Sequence, residues 1–151
     1  MDELALGLDL GTTGVRVVAV DTAGKLVAEV THDYPLLTPR PGWTEQDPAA
    51  WKTATFQAIR ALNESLPSNN VVVLGLSGQM HGMVPLDASG NVIRPAILWN
   101  DQRTGEAVIE LERAVPRSEL IARTGNPAIT GFHLPKLLWL RDIEPEAYAR
   151  T

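Results

Sequence analysis

The chain has 151 residues, room for one domain of ordinary size and too few for two full ones. Its 44% apolar and 21% charged residues exclude a disordered or fibrous chain, and the absence of cysteine excludes a disulfide scaffold and any thiolate chemistry. With 13 Lys and Arg against 18 Asp and Glu, the net charge of −5 makes nucleic acid or an anionic membrane a poor partner.

Met1-Asp2-Glu3 is acidic where a signal peptide would be basic, and no run reaches the ~20 apolar residues of a bilayer span. A soluble, cytoplasmic domain is therefore expected. Leu4 to Leu10 and Val15 to Val20 are apolar runs joined by Gly11-Thr12-Thr13-Gly14, the pattern of a β-hairpin. After the turn Asp21-Thr22-Ala23-Gly24, Lys25 to Thr31 alternates Leu26, Ala28 and Val30 against Lys25, Glu29 and Thr31, predicting a third antiparallel strand with one wet face. Residues 32–46 hold three prolines and read as a loop. Asp47-Pro48 is a helix start, and Trp51, Thr55, Ala58, Leu62 and Leu66 follow on one face until Pro67-Ser68-Asn69-Asn70.

Val71 to Leu76 is apolar without alternation, which predicts a strand buried on both faces. Short strands are expected over Met83–Leu86 and Val92–Leu98, around the turn Asp87-Ala88-Ser89-Gly90-Asn91. Thr104–Val115 predicts a helix with Val108 and Leu111 inward. Residues 116–126 predict a short helix capped by Gly125, and Pro135–Arg141 opens another. The order strand, strand, strand, helix, strand indicates a mixed sheet with helices packed on it.

Three stretches carry candidate chemistry. Asp9-x-Gly11-Thr12-Thr13-Gly14 lies where a strand ends, so backbone N–H groups and Thr hydroxyls can converge on an anion, with Asp9 beside a metal ion. An ordinary hairpin turn explains the same residues. Gly78-Gln79-Met80-His81-Gly82 follows the fourth strand, where Gln79 and His81 can hydrogen-bond a polyol and Met80 offers an adaptable apolar surface. A glycine-rich turn with a solvated histidine is the plainer alternative. Trp99-Asn100-Asp101-Gln102-Arg103 sets an aromatic plate beside amide, carboxylate and guanidinium, a set suited to a sugar and equally to a helix cap with an ion pair. Trp43 and Trp51 read as packing residues, and His32, His81 and His133 have no metal-ligand spacing.

Taken in order, Gly7-Leu8-Asp9-Leu10-Gly11-Thr12-Thr13, Gly78-Gln79-Met80-His81-Gly82 and Ile97-Leu98-Trp99-Asn100-Asp101-Gln102-Arg103 resemble the N-terminal domain of the FGGY family of carbohydrate kinases. Trp43-Thr44-Glu45-Gln46-Asp47-Pro48, Thr124-Gly125-Asn126 and Pro135-Lys136-Leu137-Leu138-Trp139 add to the resemblance. It is greatest to the branch of the family that phosphorylates xylulose.

The resemblance implies an α/β, ribonuclease H-like (actin-like ATPase) domain, a mixed sheet flanked by helices, filling residues 1–151 as a fragment without the second ATPase domain. It implies ATP and Mg²⁺ as cofactors, with Asp9 positioning phosphate and holding the metal through water, and Gly11, Thr12 and Thr13 forming the first phosphate loop. Met80, His81 and Gln79, with Trp99, Asp101 and Arg103, fall on the sugar side, and the general-base Asp falls outside the chain. The implied reaction takes D-xylulose, a ketopentose, to its 5-phosphate, with no nucleic acid or membrane partner and a homodimer left open. Another sugar, a polyol or a sugar acid such as gluconate is the alternative within the family. A non-catalytic actin-like binding domain, or an ATPase of the Hsp70 type, is the alternative outside it.

Overall fold

Alternating apolar residues become strands over the first third of the chain, as the sequence predicts. In the computed structural model, which describes residues 3–66 and 70–151, these are β1 (Leu4–Leu10), β2 (Gly14–Asp21) and β3 (Leu26–Asp33). They are followed by β4 (Glu45–Gln46), α1 (Pro48–Ser65), β5 (Val71–Gly78), β6 (Ala96–Ile97), α2 (Gly105–Ala114), α3 (Arg117–Thr124), α4 (His133–Ile143) and α5 (Pro145–Arg150). The chain divides into two compact units. Leu37–Pro48 and Met80–Thr151 make the second, and the described residues up to Leu36 together with Ala49–Gln79 make the first.

The first unit is a four-stranded sheet in the order β3-β2-β1-β5, antiparallel except where β5 runs parallel to β1. One face of that sheet is covered by α1. Leu8, Val15, Val17 and Ala19 are buried against Ala54, Ala58 and Leu62, each large apolar side chain contributing roughly 1.5–3 kcal/mol. Trp51 and Leu66 pack at the margin of this core, on the predicted helix face. Successive strand residues point to opposite faces, so burying Leu8 under α1 turns Asp9 to the face that α1 leaves open. The predicted stop at Pro67-Ser68-Asn69 lies outside the described residues.

The fourth strand corrects the sequence reading. β5 is predicted to be buried on both faces, yet all eight of its residues are exposed, its large apolar side chains from 37% at Val71 to 73% at Leu76. Within the described residues it has β1 on one side only, so it is the edge of the sheet, and α1 stops short of it. Unbroken apolarity reports what a strand is built to bury, and here that surface is open.

The second unit is built around Met83, Ile97, Ala107, Trp139 and Leu140, with Trp43 at its margin. Two of the predicted strands shrink. Met83 and Leu86 make single bridges, to Ile97 and Val92, and only Ala96–Ile97 forms a ladder. Pro85 and Pro95 supply no N–H to extend it. The partner strand β4 lies inside the predicted loop, Glu45 opposite Ile97 and Gln46 opposite Ala96. Both β4 residues are buried and polar, which no hydrophobic pattern reveals. Gly125 caps α3 at φ 75°, its N–H donating to Ile121 O at 2.8 Å, the left-handed cap the sequence predicts. On α2 it is Ala107 that is fully buried, with Val108 and Leu111 half-buried. Helix α4 begins at His133, two residues before Pro135, and the short α5 starting on Pro145 was not anticipated.

Candidate functional site

In the first unit, the chemistry gathers where β1 ends. Asp9 is exposed and stands opposite Arg16 on β2 and Ser77 on β5. These residues, with Gly7, Val18 and Gly75, line an open groove of about 490 Å³ on the sheet face away from α1. Gly7 and Gly75 lie side by side in its floor, and a Cβ on Gly7 would meet Val18 at 3.1 Å. Arg16 is itself drawn to Glu29, at 2.7 Å, so Asp9 is not its ion-pair partner.

Beyond Asp9 the Gly11–Gly14 turn is closed by a hydrogen bond from Gly11 N–H to Gly14 O at 3.0 Å. Tyr34 pins this turn from beneath. Its hydroxyl donates to Gly11 O at 2.5 Å and lies 3.1 Å from Gly14 O, while its N–H donates to Thr13 O. Burial, and secondarily the Asp9 charge, push the phenol above its ordinary value, so it remains a donor through the neutral range. Nothing in the sequence singled Tyr34 out.

Gln79 also belongs to this turn. Its N–H donates to Leu10 O at 2.8 Å, and the Thr12 hydroxyl donates to its Oε1 at 3.4 Å. Asp9, Gly11, Thr12, Thr13 and Gln79 thus share one end of the first unit.

Met80 and His81 belong to the second unit. Met80 is 68% exposed, and His81 is exposed with φ 60°, a left-handed conformation rare for a residue with a side chain. The His81 carbonyl accepts a hydrogen bond from Lys136 Nζ at 2.6 Å, and its ring packs on Phe132 with centroids 4.8 Å apart. His81 and Phe132, with Asn126 and His133, border an apolar cavity of about 300 Å³. The His133 imidazole is held below its ordinary value by burial first, then by the charges of Lys136 and His81.

Trp99 is 47% exposed, and its carbonyl oxygen faces Gly131 so closely that a Cβ there would stand at 2.6 Å. Asp101 and Arg103 sit differently from the sequence expectation. Neither side chain reaches solvent, and each is committed to the other: Arg103 donates to Asp101 Oδ1 at 2.9 Å and Oδ2 at 2.7 Å. Thr44 N–H supplies Asp101 with a further donor at 2.6 Å, and Arg103 also reaches Glu45 at 2.6 Å. Glu45 is shared with Arg94, and the Trp43 ring lies 3.8 Å from the Arg103 guanidinium. A pair expected beside a sugar is instead an internal brace packed against Trp43. Buried charges of this kind persist because each is paired and hydrogen-bonded.

The sequence matches the N-terminal domain of the FGGY family of carbohydrate kinases over residues 4–151. The chain belongs to this family. It is 46% identical over 143 residues to the xylulose kinase of Escherichia coli K12, covering 95% of this chain and 29% of that protein. The crystal structure of xylulose kinase from Rhodospirillum rubrum superimposes with a TM-score of 0.93 at 31% identity, covering 97% of this chain and 30% of that one. Gluconate kinase from Lactobacillus acidophilus gives 0.92 at 26% identity, over 100% and 30%. The fold is thus the ribonuclease H-like, actin-like fold of the FGGY kinases, a mixed sheet with helices. The chain spans 29% to 30% of the length of the curated xylulose kinases it matches. No helix among the described residues is long and apolar enough to cross a membrane.

Proposed function

We infer that this chain is the sugar-binding portion of a cytoplasmic, ATP-dependent kinase that phosphorylates the terminal hydroxyl of D-xylulose. The observation that carries the reading is the segment from Gln79 to His81. Gln79 is tied to the Gly11–Gly14 turn, and the next two side chains are exposed, one adaptable and apolar, the other a hydrogen-bonding imidazole. Neither an actin-like binding domain nor an Hsp70-type ATPase calls for that segment. The 46% identity to a curated xylulose kinase, against 34% to a curated glycerol kinase, favours the ketopentose.

Asp9 and the Gly11–Thr13 turn fit the phosphate end of ATP. The turn offers hydroxyls and backbone, and the exposed Asp9 carboxylate opens on a groove wide enough for a hydrated ion. No group of three His, Cys, Asp or Glu among the described residues could chelate a metal, so Asp9 would hold Mg²⁺ through water, with the phosphates completing its shell. When bound, Mg²⁺ neutralises charge on the transferring phosphoryl group. The role left to this chain is to orient sugar and phosphate, with Met80, His81 and Trp99 on the sugar and Asp101 and Arg103 paired with each other inside the fold. The remaining polypeptide of the whole kinase would supply the general base and the adenine site.

Sugar-dependent ADP release by the whole kinase tests the substrate. Xylulose should give the highest kcat/KM among xylulose, ribulose, gluconate and glycerol. A clear preference for gluconate or glycerol would overturn the assignment.

A further inference from the structure

Lys136 is a fully buried lysine that the sugar-site reading does not use. It forms no ion pair among the described residues. Its Nζ donates instead to two backbone carbonyls, His81 O at 2.6 Å and Gly131 O at 2.7 Å. An ammonium is costly to bury, and an apolar side chain would fill the same space without that cost. What the ammonium adds is a link between two separate stretches of backbone.

Both stretches lead to the candidate sugar site. One is the His81 residue, held at φ 60° where a β-carbon is disfavoured. The other is Gly131, which abuts the Trp99 carbonyl too closely for any side chain. From its buried position on α4, Lys136 therefore ties the backbone of His81 to the backbone behind Trp99. Burial opposes the lysine charge first, then Asp101 favours it and Arg103 opposes it, so the internal Asp101–Arg103 pair shares its electrostatic environment.

We propose that Lys136 is a positioning residue for the sugar: its two hydrogen bonds hold His81 in the left-handed conformation and so fix where the imidazole meets the substrate. The proposal rests on the reading of His81 as a sugar ligand, and the test separates the two.

The test is a double-mutant cycle in the whole kinase, with KM for xylulose and KM for ATP measured for Lys136→Met, Lys136→Gln, His81→Ala and Lys136→Met with His81→Ala. Lys136→Met should raise KM for xylulose about tenfold or more and leave KM for ATP within about twofold. Lys136→Gln, which keeps amide donors, should fall between wild type and Lys136→Met. In the double variant the two effects should combine to far less than their product, because the lysine acts chiefly through that residue. If His81→Ala raises KM for xylulose but the two effects multiply, or if Lys136→Met leaves that KM unchanged, the positioning role is wrong and the sugar site stands. If His81→Ala itself leaves KM for xylulose unchanged, the sugar-site reading fails and the proposal with it. If neither Lys136 variant yields folded kinase by circular dichroism, the lysine is structural and the proposal is overturned.

Discussion

The Tyr34 hydroxyl donates to the carbonyl of Gly11 and also lies 3.1 Å from the carbonyl of Gly14, bracketing the turn proposed to meet phosphate. Tyr34 is 7% exposed and leaves β3 directly, so the core fixes the phenol and the phenol fixes the turn. Tyr34→Phe keeps the ring and removes the donor, leaving the half-buried Gly11 carbonyl short of a partner at a cost of about 1 kcal/mol. In the whole kinase it should raise KM for ATP more than KM for xylulose, read by steady-state kinetics. Equal changes in both would show that the turn is not held by this contact. Because the phenol is raised above its ordinary value in the folded state, its contribution is intact at neutral pH. That contribution is lost as pH climbs past about 10, the ordinary tyrosine value. Alkaline urea titrations of wild type and Tyr34→Phe should converge there.

Lys136 gives the opposite sign. Burial lowers its amine to about 8 from an ordinary 10.5. Between those values the unfolded chain holds a proton that the folded chain has released, so wild type gains stability as pH rises through that window. Lys136→Met lacks the titration. The difference in urea midpoint between wild type and Lys136→Met should therefore move in favour of wild type from pH 8 to pH 10. A difference independent of pH would mean that the lysine is not buried as described.

Arg103 and Asp101 test the internal brace. Arg103→Ala leaves Asp101 buried without its cation and Glu45 with Arg94 alone, and should cost about 3–5 kcal/mol in urea unfolding. Arg103→Lys removes the bidentate geometry and the contact with the Trp43 ring, and should recover only part of that loss. A variant as stable as wild type would return both residues to the sugar side, where the resemblance put them.

Gly131→Ala places a methyl group 2.6 Å from the Trp99 carbonyl, where backbone must move. Overpacking of this kind costs about 1–3 kcal/mol. The predicted signature is a changed Trp99 environment, seen as altered fluorescence quenching by iodide, with KM for xylulose raised. Unchanged quenching and unchanged KM would show that the contact relaxes freely.

Sequence periodicity revealed what is local. β1 to β3, the Pro48 start of α1 and the Gly125 cap each depend on residues within a few positions of one another, and each lies where the sequence puts it. The family motifs were legible for the same reason. What failed required knowledge of neighbours. Val71 to Leu76 reads as a doubly buried strand because its side chains are apolar on both faces, and nothing in the run says whether a cover is present. Asp101 and Arg103 carry the chemistry of a sugar site, but Glu45, Thr44 and Trp43, more than fifty positions upstream, turn them inward. Tyr34 sits at the start of a proline-rich segment without any pattern. Lys136 did leave a signal, a single charge inside the apolar run Leu134-Pro135-Lys136-Leu137-Leu138-Trp139 that opens α4. A lone charge there marks either an exposed stripe or a buried donor, and only the fold distinguishes them.

The central claim is a division of labour, with phosphate at Asp9 and the following turn and sugar at Met80 and His81. Steady-state kinetics of Asp9→Ala and His81→Ala in the whole kinase, varying xylulose and ATP separately, test it most directly. Asp9→Ala should lower kcat by about 10²–10³ with KM for xylulose nearly unchanged, since one electrostatic contact to the transferring group is lost. His81→Ala should raise KM for xylulose about tenfold or more with KM for ATP unchanged, since one hydrogen bond to a sugar hydroxyl is lost. Near-normal turnover in Asp9→Ala, or a His81→Ala enzyme whose only altered constant is KM for ATP, would contradict the account.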